Sequence, residues 1–388
     1  MNATPNSDSK RNIHFGRPWI TDEDREAVVD VLNGPILTHG PQTLDFEREF
    51  GEYLGNDSYS VALSSCTAAL HLAYLQMNLP SNAEVIVPAM THTATAHAVE
   101  LVGARPVFVD CDIRTGNIGV EQIEAALTPR TKAISVVHFL GIPCEMDAIA
   151  SLAEQHSLKL VEDCALAVGT YYKDRHAGTW GDAGCFSFYP VKHITTGDGG
   201  MFVSRNEQTA AEVATLRGFG VDRTHSQRSI PGIYDVVALG LNYRMSEMQA
   251  ALGRQQLLKV PEILNRREAN FTLLKALIRD AGDISILDAV DRNSINSYYC
   301  LTVILKGALA EKRNEIVSAL NQSGVGTSVY YPHPVPRLNY YRTKYGYEAK
   351  MYPNSSLISD NSIALPVGPH VSEEDVHYMA AQFKHSLR

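Results

Sequence analysis

The chain has 388 residues, of which 45% are hydrophobic and 20% are charged, a balance typical of a globular protein with roughly two domains. Its formal net charge of −9 argues against general nucleic-acid binding, because phosphate contacts need clustered Lys and Arg. No apolar run approaches the roughly 20 residues that span a bilayer, so we expect neither nucleic acid nor a membrane as a partner.

The N-terminal stretch over residues 1–15 is predicted to be a disordered leader, because its polar start lacks the apolar core of a signal peptide. The six cysteines form no CxxC pair and no zinc-ligand pattern. We therefore expect no metal site, and a cytoplasmic protein with reduced cysteines.

Two helices are predicted first, one capped by Thr21 and one with an apolar face that ends at Leu54. Strands and helices then alternate, with strands predicted at Tyr59–Leu63, Glu84–Pro88, Pro106–Val109, Ala133–Phe139 and Lys159–Glu162. This alternation predicts an α/β fold whose large domain, residues 16–260, contains a mostly parallel sheet flanked by helices.

A long helix, Ile263–Asp280, is expected to lead into a smaller C-terminal α+β domain over residues 261–388. Within it, Tyr298–Leu305 and Gly326–Tyr331 are predicted to be strands. The loop Tyr330–Pro336 combines prolines with polar aromatics. That composition is typical of a rim that stacks on a sugar or base, or equally of a docking loop between subunits.

The turn Ser64-Ser65-Cys66-Thr67 joins the first predicted strand to a helix. The free N–H groups and the dipole of that helix predict a phosphate site, with a plain capped helix as the alternative. In a parallel sheet the ligand lies beyond the carboxyl ends of the strands. This rule points to His92, to His138 and to the pair Glu162-Asp163.

The segment Cys185–Gly200 begins apolar and aromatic and then presents Lys192. Burial disfavours the ammonium form of a lysine and leaves a nucleophilic amine, although most lysines are solvated surface charges. Asp163 follows another apolar run, where its carboxylate either holds a pyridinium nitrogen protonated or caps the next helix. Together the two residues indicate pyridoxal phosphate bound to Lys192.

Arginines at 217, 223 and 228 lie in a loop-rich stretch of the chain. They either meet an acidic substrate, such as a nucleotide diphosphate or a carboxylate, or are solvated loop charges.

Seven motifs, in order, extend the pattern over nearly the whole chain. They are GPILTHGP at 34–41, SCTAAL at 65–70, VPAMTHTATA at 87–96, VEDCA at 161–165, FSFYPVK at 186–192, TTGDGG at 195–200 and LNYRMS at 241–246. Together they resemble the nucleotide-sugar aminotransferases of the DegT/StrS type, a branch of the fold-type I (aspartate-aminotransferase-like) pyridoxal-phosphate enzymes.

The resemblance implies cofactor roles for individual residues. Lys192 would form the Schiff base with pyridoxal phosphate and later move the proton, and Asp163 would pair with the pyridine nitrogen. Cys66 and Thr67 would bind the phosphate largely through backbone N–H groups, with a hydroxyl from Ser187. His92 stands where the family usually places an aromatic ring stacked on the cofactor.

The resemblance also implies a homodimer with shared active sites, in which Asn242 reaches the phosphate of the neighbouring subunit. Thr38, Tyr330 and His333 would lie near the sugar nucleotide. Two positions depart from the family pattern: Leu166 replaces a polar residue that contacts the cofactor ring, and Asp198 replaces the commoner Glu.

The implied reaction moves an amino group from an amino acid, L-glutamate, to the keto group of a nucleotide-linked deoxysugar, a 4-keto-6-deoxyhexose. One alternative is a sugar dehydratase of the same family, in which a histidine typically replaces the lysine. Another is a non-catalytic, pyridoxal-binding regulatory protein, because a fold alone does not determine function.

Overall fold

The computed structural model describes residues 11–55, 57–222, 233–289 and 293–388. Arg223 and Arg228 lie outside the described residues, as do residues 1–10 of the predicted leader. Residues 11–15 of that leader make specific contacts: Ile13 is buried and donates its N–H to the Gly324 carbonyl over 2.8 Å.

Helices and strands follow one another along the chain. The helices are α1 (Asp22–Asn33), α2 (Pro41–Leu54), α3 (Cys66–Met77), α4 (Thr93–Leu101), α5 (Val120–Ala126), α6 (Met146–Gln155), α7 (Glu207–Arg217), α8 (Glu247–Leu258), α9 (Val260–Ile278), α10 (Ala308–Glu311), α11 (Arg313–Gln322), α12 (Asn339–Tyr345), α13 (Pro353–Asn361) and α14 (Glu373–Ser386). The strands are β1 (Tyr59–Leu63), β2 (Glu84–Pro88), β3 (Arg105–Val109), β4 (Thr131–Val137), β5 (Lys159–Asp163), β6 (Tyr171–Tyr172), β7 (Arg175–His176), β8 (Ala183–Ser187), β9 (Gly200–Ser204), β10 (Ile284–Ile286), β11 (Ser294–Ile295), β12 (Leu301–Leu305) and β13 (Ser362–Leu365).

A seven-stranded sheet in the order β1-β9-β8-β5-β4-β2-β3 forms the centre of the molecule. All its neighbouring pairs are parallel except the two that involve β9. The carboxyl ends of β1, β2, β4, β5 and β8 therefore meet at one edge, which the amino end of β9 joins. The predicted fold class, a mostly parallel sheet flanked by helices, is confirmed.

Burial on both faces explains the composition of the central strands. Every residue of β2 and β8 is buried, as expected where helices cover both sides of a parallel sheet. Helix α3 is buried nearly all round, from Ala68 to Tyr74, because it packs between the sheet and α4 and α7.

A second, antiparallel sheet in the order β10-β12-β13 lies in the C-terminal part of the chain. Residues from α9, α11 and α14 cover it in one hydrophobic core, which also takes in Ile13. The domain boundary between residues 260 and 261 stays a prediction. No helix among the described residues is long and apolar enough to cross a membrane, and the cytoplasmic location also stays a prediction.

The predicted strand at Gly326–Tyr331 is wrong. Its backbone hydrogen bonds go to two different partners: the Gly326 N–H donates to the Ile13 carbonyl, and Ser328 forms an isolated bridge with Ala364. The side chains of Tyr330 and Tyr331 turn into a cavity instead of continuing the pairing.

Helix α12 is fastened to α4 by aromatic and polar contacts. The Tyr341 ring stacks on His97 at 5.6 Å and shares a hydrogen bond of 2.7 Å with its Nδ1. Glu100 accepts hydrogen bonds from Tyr345 and Lys344. Helix α12 follows the loop Tyr330–Pro336, here called the tyrosine loop, and α4 follows β2. These contacts therefore join two walls of the same cavity.

Candidate active site

A cavity of about 490 Å³ opens at the edge where the parallel strands end. Seven of the residues predicted for the site line it: Cys66, Thr67, His92, Asp163, Ser187, Lys192 and Tyr330. Loops that are distant in sequence therefore converge at the carboxyl edge, as the strand-end rule predicts.

Lys192 follows β8 in a tight turn, in which its N–H donates to the Tyr189 carbonyl over 2.9 Å. Burial lowers the pKa of its amine, although the charge of Asp163 partly opposes this effect. The Nζ atom lies 5.5 Å from the centre of the Tyr299 ring. This environment favours the neutral, nucleophilic amine.

Asp163 ends β5 and is 4% exposed. Its Oδ2 accepts a hydrogen bond of 2.7 Å from the Thr95 hydroxyl, and its Oδ1 accepts one of 3.0 Å from the Ala165 N–H. Turns, not a helix, follow it, so the alternative of a helix cap is not realised. The carboxylate is held at the base of the cavity, where it can face a ring nitrogen.

The turn between β1 and α3 presents backbone N–H groups to the cavity edge, and its role as a phosphate site stays a prediction. The Ser65 hydroxyl caps α3 by accepting from the Ala68 N–H. The N–H groups of Cys66 and Thr67 have no intrahelical acceptor, because they lie in the first turn of the helix. A Cβ added to Gly200 would lie 2.5 Å from the Cys66 nitrogen. Only a glycine lets β9 approach this turn so closely.

The Cys66 side chain itself is not an anion ligand. Burial raises the pKa of its thiol well above the ordinary value, and its Sγ lies 3.5 Å from the Cys185 carbonyl, to which it donates. Any phosphate contact from Cys66 is therefore made by its backbone.

His92 caps α4, with its Nδ1 accepting from the Ala94 N–H over 3.2 Å. Partial desolvation lowers the pKa of its imidazole, so the ring is neutral and carries its proton on Nε2. Its edge meets the Tyr331 ring at a centroid distance of 5.7 Å. Stacking of this ring on a cofactor stays a prediction.

These residues fit pyridoxal phosphate. Lys192 offers an amine, Asp163 a carboxylate for a ring nitrogen, and the start of α3 two backbone donors for a phosphate. The Ser187 hydroxyl, 6% exposed, adds a fourth polar group on the same wall.

Leu166 is a buried part of the cavity wall. It places an apolar side chain where the resemblance led us to expect a polar group. Asp198, the other departure from the family pattern, is exposed at the mouth of the cavity.

Three predicted residues do not line this cavity. Thr38 is exposed in the loop before α2, Asn242 pairs with Gly218, and His333 lies in the tyrosine loop. Their roles stay predictions. Arg217, an alternative contact for an acidic substrate, ion-pairs with Glu47 and donates to the Ala62 carbonyl over 2.8 Å.

Sequence reasoning missed several residues of the site. Thr91 and Thr95 are linked at 2.7 Å and lead to Asp163; their spacing of four residues at the start of a helix was the available signal. Tyr299 lines the cavity from the C-terminal part of the chain. No local sequence pattern predicts this contact, because Tyr299 is far from the other lining residues in the chain.

His138, Glu162 and Cys164 bring their ligand atoms within 4.8 Å of one another. Hydrogen bonds account for this cluster. Both carboxylate oxygens of Glu162 accept from backbone N–H groups between Gly178 and Gly181 at 2.7 Å, and His138 lies 3.0 Å away. The His138 Nδ1 accepts from the Cys144 N–H, so no ring lone pair is left for an ion. That the protein has no metal stays a prediction.

Known proteins are similar to this chain in sequence and in fold. The chain is 37% identical over 374 residues to the spore coat polysaccharide biosynthesis protein SpsC of Bacillus subtilis, a match that covers 95% of each chain. A putative sugar aminotransferase from Streptococcus pneumoniae, solved in its PMP form, superposes with a TM-score of 0.91 at 30% identity, over 97% of this chain and 99% of that one.

Helicobacter pylori PseC, an aminotransferase of pseudoaminic acid biosynthesis, superposes equally well, with a TM-score of 0.91, 25% identity and the same coverage. The model of the DegT/DnrJ/EryC1/StrS aminotransferase family matches residues 18–384. The chain therefore belongs to this family of pyridoxal-phosphate-dependent aminotransferases, as its motifs predicted.

Proposed function

We propose that the protein transfers the amino group of L-glutamate to the keto group of a nucleotide-linked deoxysugar, a 4-keto-6-deoxyhexose. The observation that carries this proposal is the position of Lys192, whose amine shares one cavity with the Asp163 carboxylate and a rim of tyrosines. The similarity to SpsC, named for polysaccharide biosynthesis, and to PseC supports a sugar substrate.

Pyridoxal phosphate, when bound, supplies the carbonyl that takes up the amino group and a ring that accepts electrons from the substrate α-carbon. The protein residues provide the proton transfers. The neutral Nζ of Lys192 removes the α-proton of the amino donor and returns a proton in the second half-reaction. The Asp163 carboxylate, held by Thr95 and Ala165, keeps the ring nitrogen protonated.

The dehydratase alternative is not favoured by the geometry. Lys192 itself lines the cavity, whereas the adjacent His193 is buried away from it with its Nε2 bonded to the Ser297 carbonyl at 2.9 Å. A histidine is therefore present near the catalytic position in sequence but does not face the substrate space.

We also propose that the protein works as a homodimer with shared sites. The segments on either side of residues 223–232 pair through a bridge between Val221 and Val236, and they expose Phe219, Val237 and Leu239, the last to 88%. Exposed apolar clusters of this kind mark protein interfaces. Asn242 lies beside this surface and outside its own cavity, so only a second copy would bring it to a phosphate.

A screen tests the reaction. The cofactor-loaded protein is incubated with L-glutamate and a panel of keto-sugar nucleotides, and the masses of the products are measured by mass spectrometry. We expect a product in which an amino group replaces the keto oxygen. A dehydrated product would support the dehydratase, and cofactor absorbance unchanged by any amino acid would support the regulatory protein.

A further inference from the structure

The carboxylate of the amino donor needs hydrogen-bond donors in the cavity. Among the described lining residues, Lys192 is the one cationic side chain, while Asp163 and Asp198 are both acidic. Lys192 is occupied with the amino group and the proton. A carboxylate placed at random in this cavity would therefore meet more negative than positive charge, so its site must be specific.

Several hydroxyls in and beside the cavity already have a partner. Ser65 caps α3, and the Thr91 and Thr95 hydroxyls form the chain that ends at Asp163. Ser187 accepts from the Tyr189 N–H over 3.4 Å. These hydroxyls are therefore already engaged in hydrogen bonds that hold the α3 start, Asp163 and the segment after β8.

Tyr299 and Tyr330 form a different arrangement on the opposite wall. Their hydroxyl oxygens lie 2.8 Å apart, and the Ser328 hydroxyl also bonds Tyr330. When Ser328 donates to Tyr330 and Tyr330 donates to Tyr299, the Tyr299 proton is left for another acceptor. Burial raises the pKa of Tyr330 to about 12 and raises the pKa of Tyr299 well above its ordinary value, so both remain donors at neutral pH. The Tyr299 ring lies 5.5 Å from Lys192 Nζ, beside the place where a substrate α-carbon must react.

A buried cation stands behind this pair. Arg267 on α9 is 5% exposed, donates to the Tyr299 carbonyl over 2.8 Å and places its Cζ 5.9 Å from the Tyr299 ring centre. Among the described residues no carboxylate pairs with it, and its Nε has no hydrogen-bond partner. Burial lowers its pKa to about 10, so it is charged at neutral pH and its field is weakly screened.

We propose that the hydroxyl pair of Tyr299 and Tyr330, with the positive charge of Arg267 behind it, binds the α-carboxylate of the amino donor. The inference rests on the proposed function, since it presumes an amino-acid donor. It assigns a part of donor recognition to the C-terminal part of the chain.

The test compares L-glutamate with 4-aminobutanoate, which is glutamate without its α-carboxylate. In single-turnover experiments on the loaded enzyme, the rate of cofactor bleaching is measured against donor concentration. Tyr299→Phe keeps the ring and removes the hydroxyl. We expect this variant to raise the glutamate concentration that gives the half-maximal rate about tenfold or more. The corresponding concentration of 4-aminobutanoate should stay unchanged.

Three further variants make the test decisive. Tyr298→Phe is the matched control, because the Tyr298 hydroxyl reaches Glu268 on the surface and not the cavity. Arg267→Met should weaken glutamate binding and Arg267→Lys should restore part of it; if Arg267→Met does not bind cofactor, the Tyr299→Phe result decides. An unchanged preference for glutamate in Tyr299→Phe overturns the inference while leaving the amino transfer intact. Failure of wild-type protein to react with any amino acid overturns the proposed function instead.

Discussion

Thr95 donates its hydroxyl proton to Asp163 over 2.7 Å, and both side chains are buried. Because that proton points to the carboxylate, the hydroxyl of Thr91, also 2.7 Å from Thr95, must donate in turn. Two threonines of one helix start thus orient the carboxylate that faces the cofactor ring.

Replacing Thr95 by Val should loosen that orientation. A hydrogen bond to a charged group contributes roughly 1.5–3 kcal/mol, so we expect the affinity for pyridoxal phosphate, measured by equilibrium dialysis, to fall at least about tenfold. Thr95→Ser keeps the hydroxyl and should bind nearly as wild type. Equal affinities of Thr95→Val and wild type would show that the Ala165 N–H alone is sufficient.

Gly200→Ala should damage the phosphate turn. The new Cβ would stand 2.5 Å from the Cys66 nitrogen, so the turn must shift and its backbone donors with it. We expect weaker binding of pyridoxal phosphate but little change for pyridoxal, which has no phosphate. Gly34→Ala is the control, because its φ is −91° and the nearest atom lies 3.5 Å from the added Cβ. A parallel loss for both ligands would contradict a phosphate role for this turn.

Lys192→Ala should abolish amino transfer and leave part of the cofactor binding, since Asp163 and the phosphate turn remain. General acid–base catalysis contributes about 10²–10⁴-fold, so the amount of aminated product should fall by at least that factor. Lys132→Ala changes an exposed lysine that bonds the Pro129 carbonyl, and it should have no effect. Normal turnover by Lys192→Ala would refute the assignment.

The lowered pKa of Lys192 predicts a pH dependence. Burial favours its neutral amine, so in cofactor-free protein the midpoint of its labelling by an amine reagent, followed by mass spectrometry, should lie at lower pH than in the urea-unfolded chain. The charge of Asp163 raises the pKa of Lys192, so Asp163→Asn should move the midpoint lower still. A midpoint in the folded protein at or above that of the unfolded chain would contradict this account.

Glu247 should matter for stability and not for chemistry. Its buried carboxylate caps α2 by accepting from the N–H groups of Gln42 and Thr43 and from the Thr43 hydroxyl. Glu247→Ala leaves these donors unpaired, at a cost of roughly 1–3 kcal/mol for each buried one. The urea midpoint of the cofactor-free protein should fall clearly, whereas Glu262→Ala, which breaks an exposed pair with Arg266, should barely change it.

The sheet could be predicted from sequence because its strands are short apolar runs between turns. The bounds of β1 and β2 agree with prediction to the residue, since turn residues bound each short apolar run. Asp163 and Lys192 were found because each ends such a run. The rest of the site depends on contacts across long stretches of chain, as in the approach of Tyr299 to Lys192.

Local pattern also failed where the backbone changes partners. The stretch from Gly326 to Tyr331 has the composition of a strand, but its first part bonds the N-terminal segment at Ile13. No periodicity in either stretch encodes that pairing. The same is true of Glu247, whose carboxylate caps a helix more than 200 residues earlier in the chain.

The fastening of α12 to α4 through His97 and Glu100 has a consequence for ligand entry. The wall that carries His92 and the wall that carries the tyrosines cannot separate unless this helix pair comes apart. The exposed lining residues are Thr67, His92, Tyr189 and Asp198. Cofactor and substrates therefore enter and leave over these side chains, and bulky substitutions at Tyr189 or Asp198 should slow exchange without altering the chemistry inside.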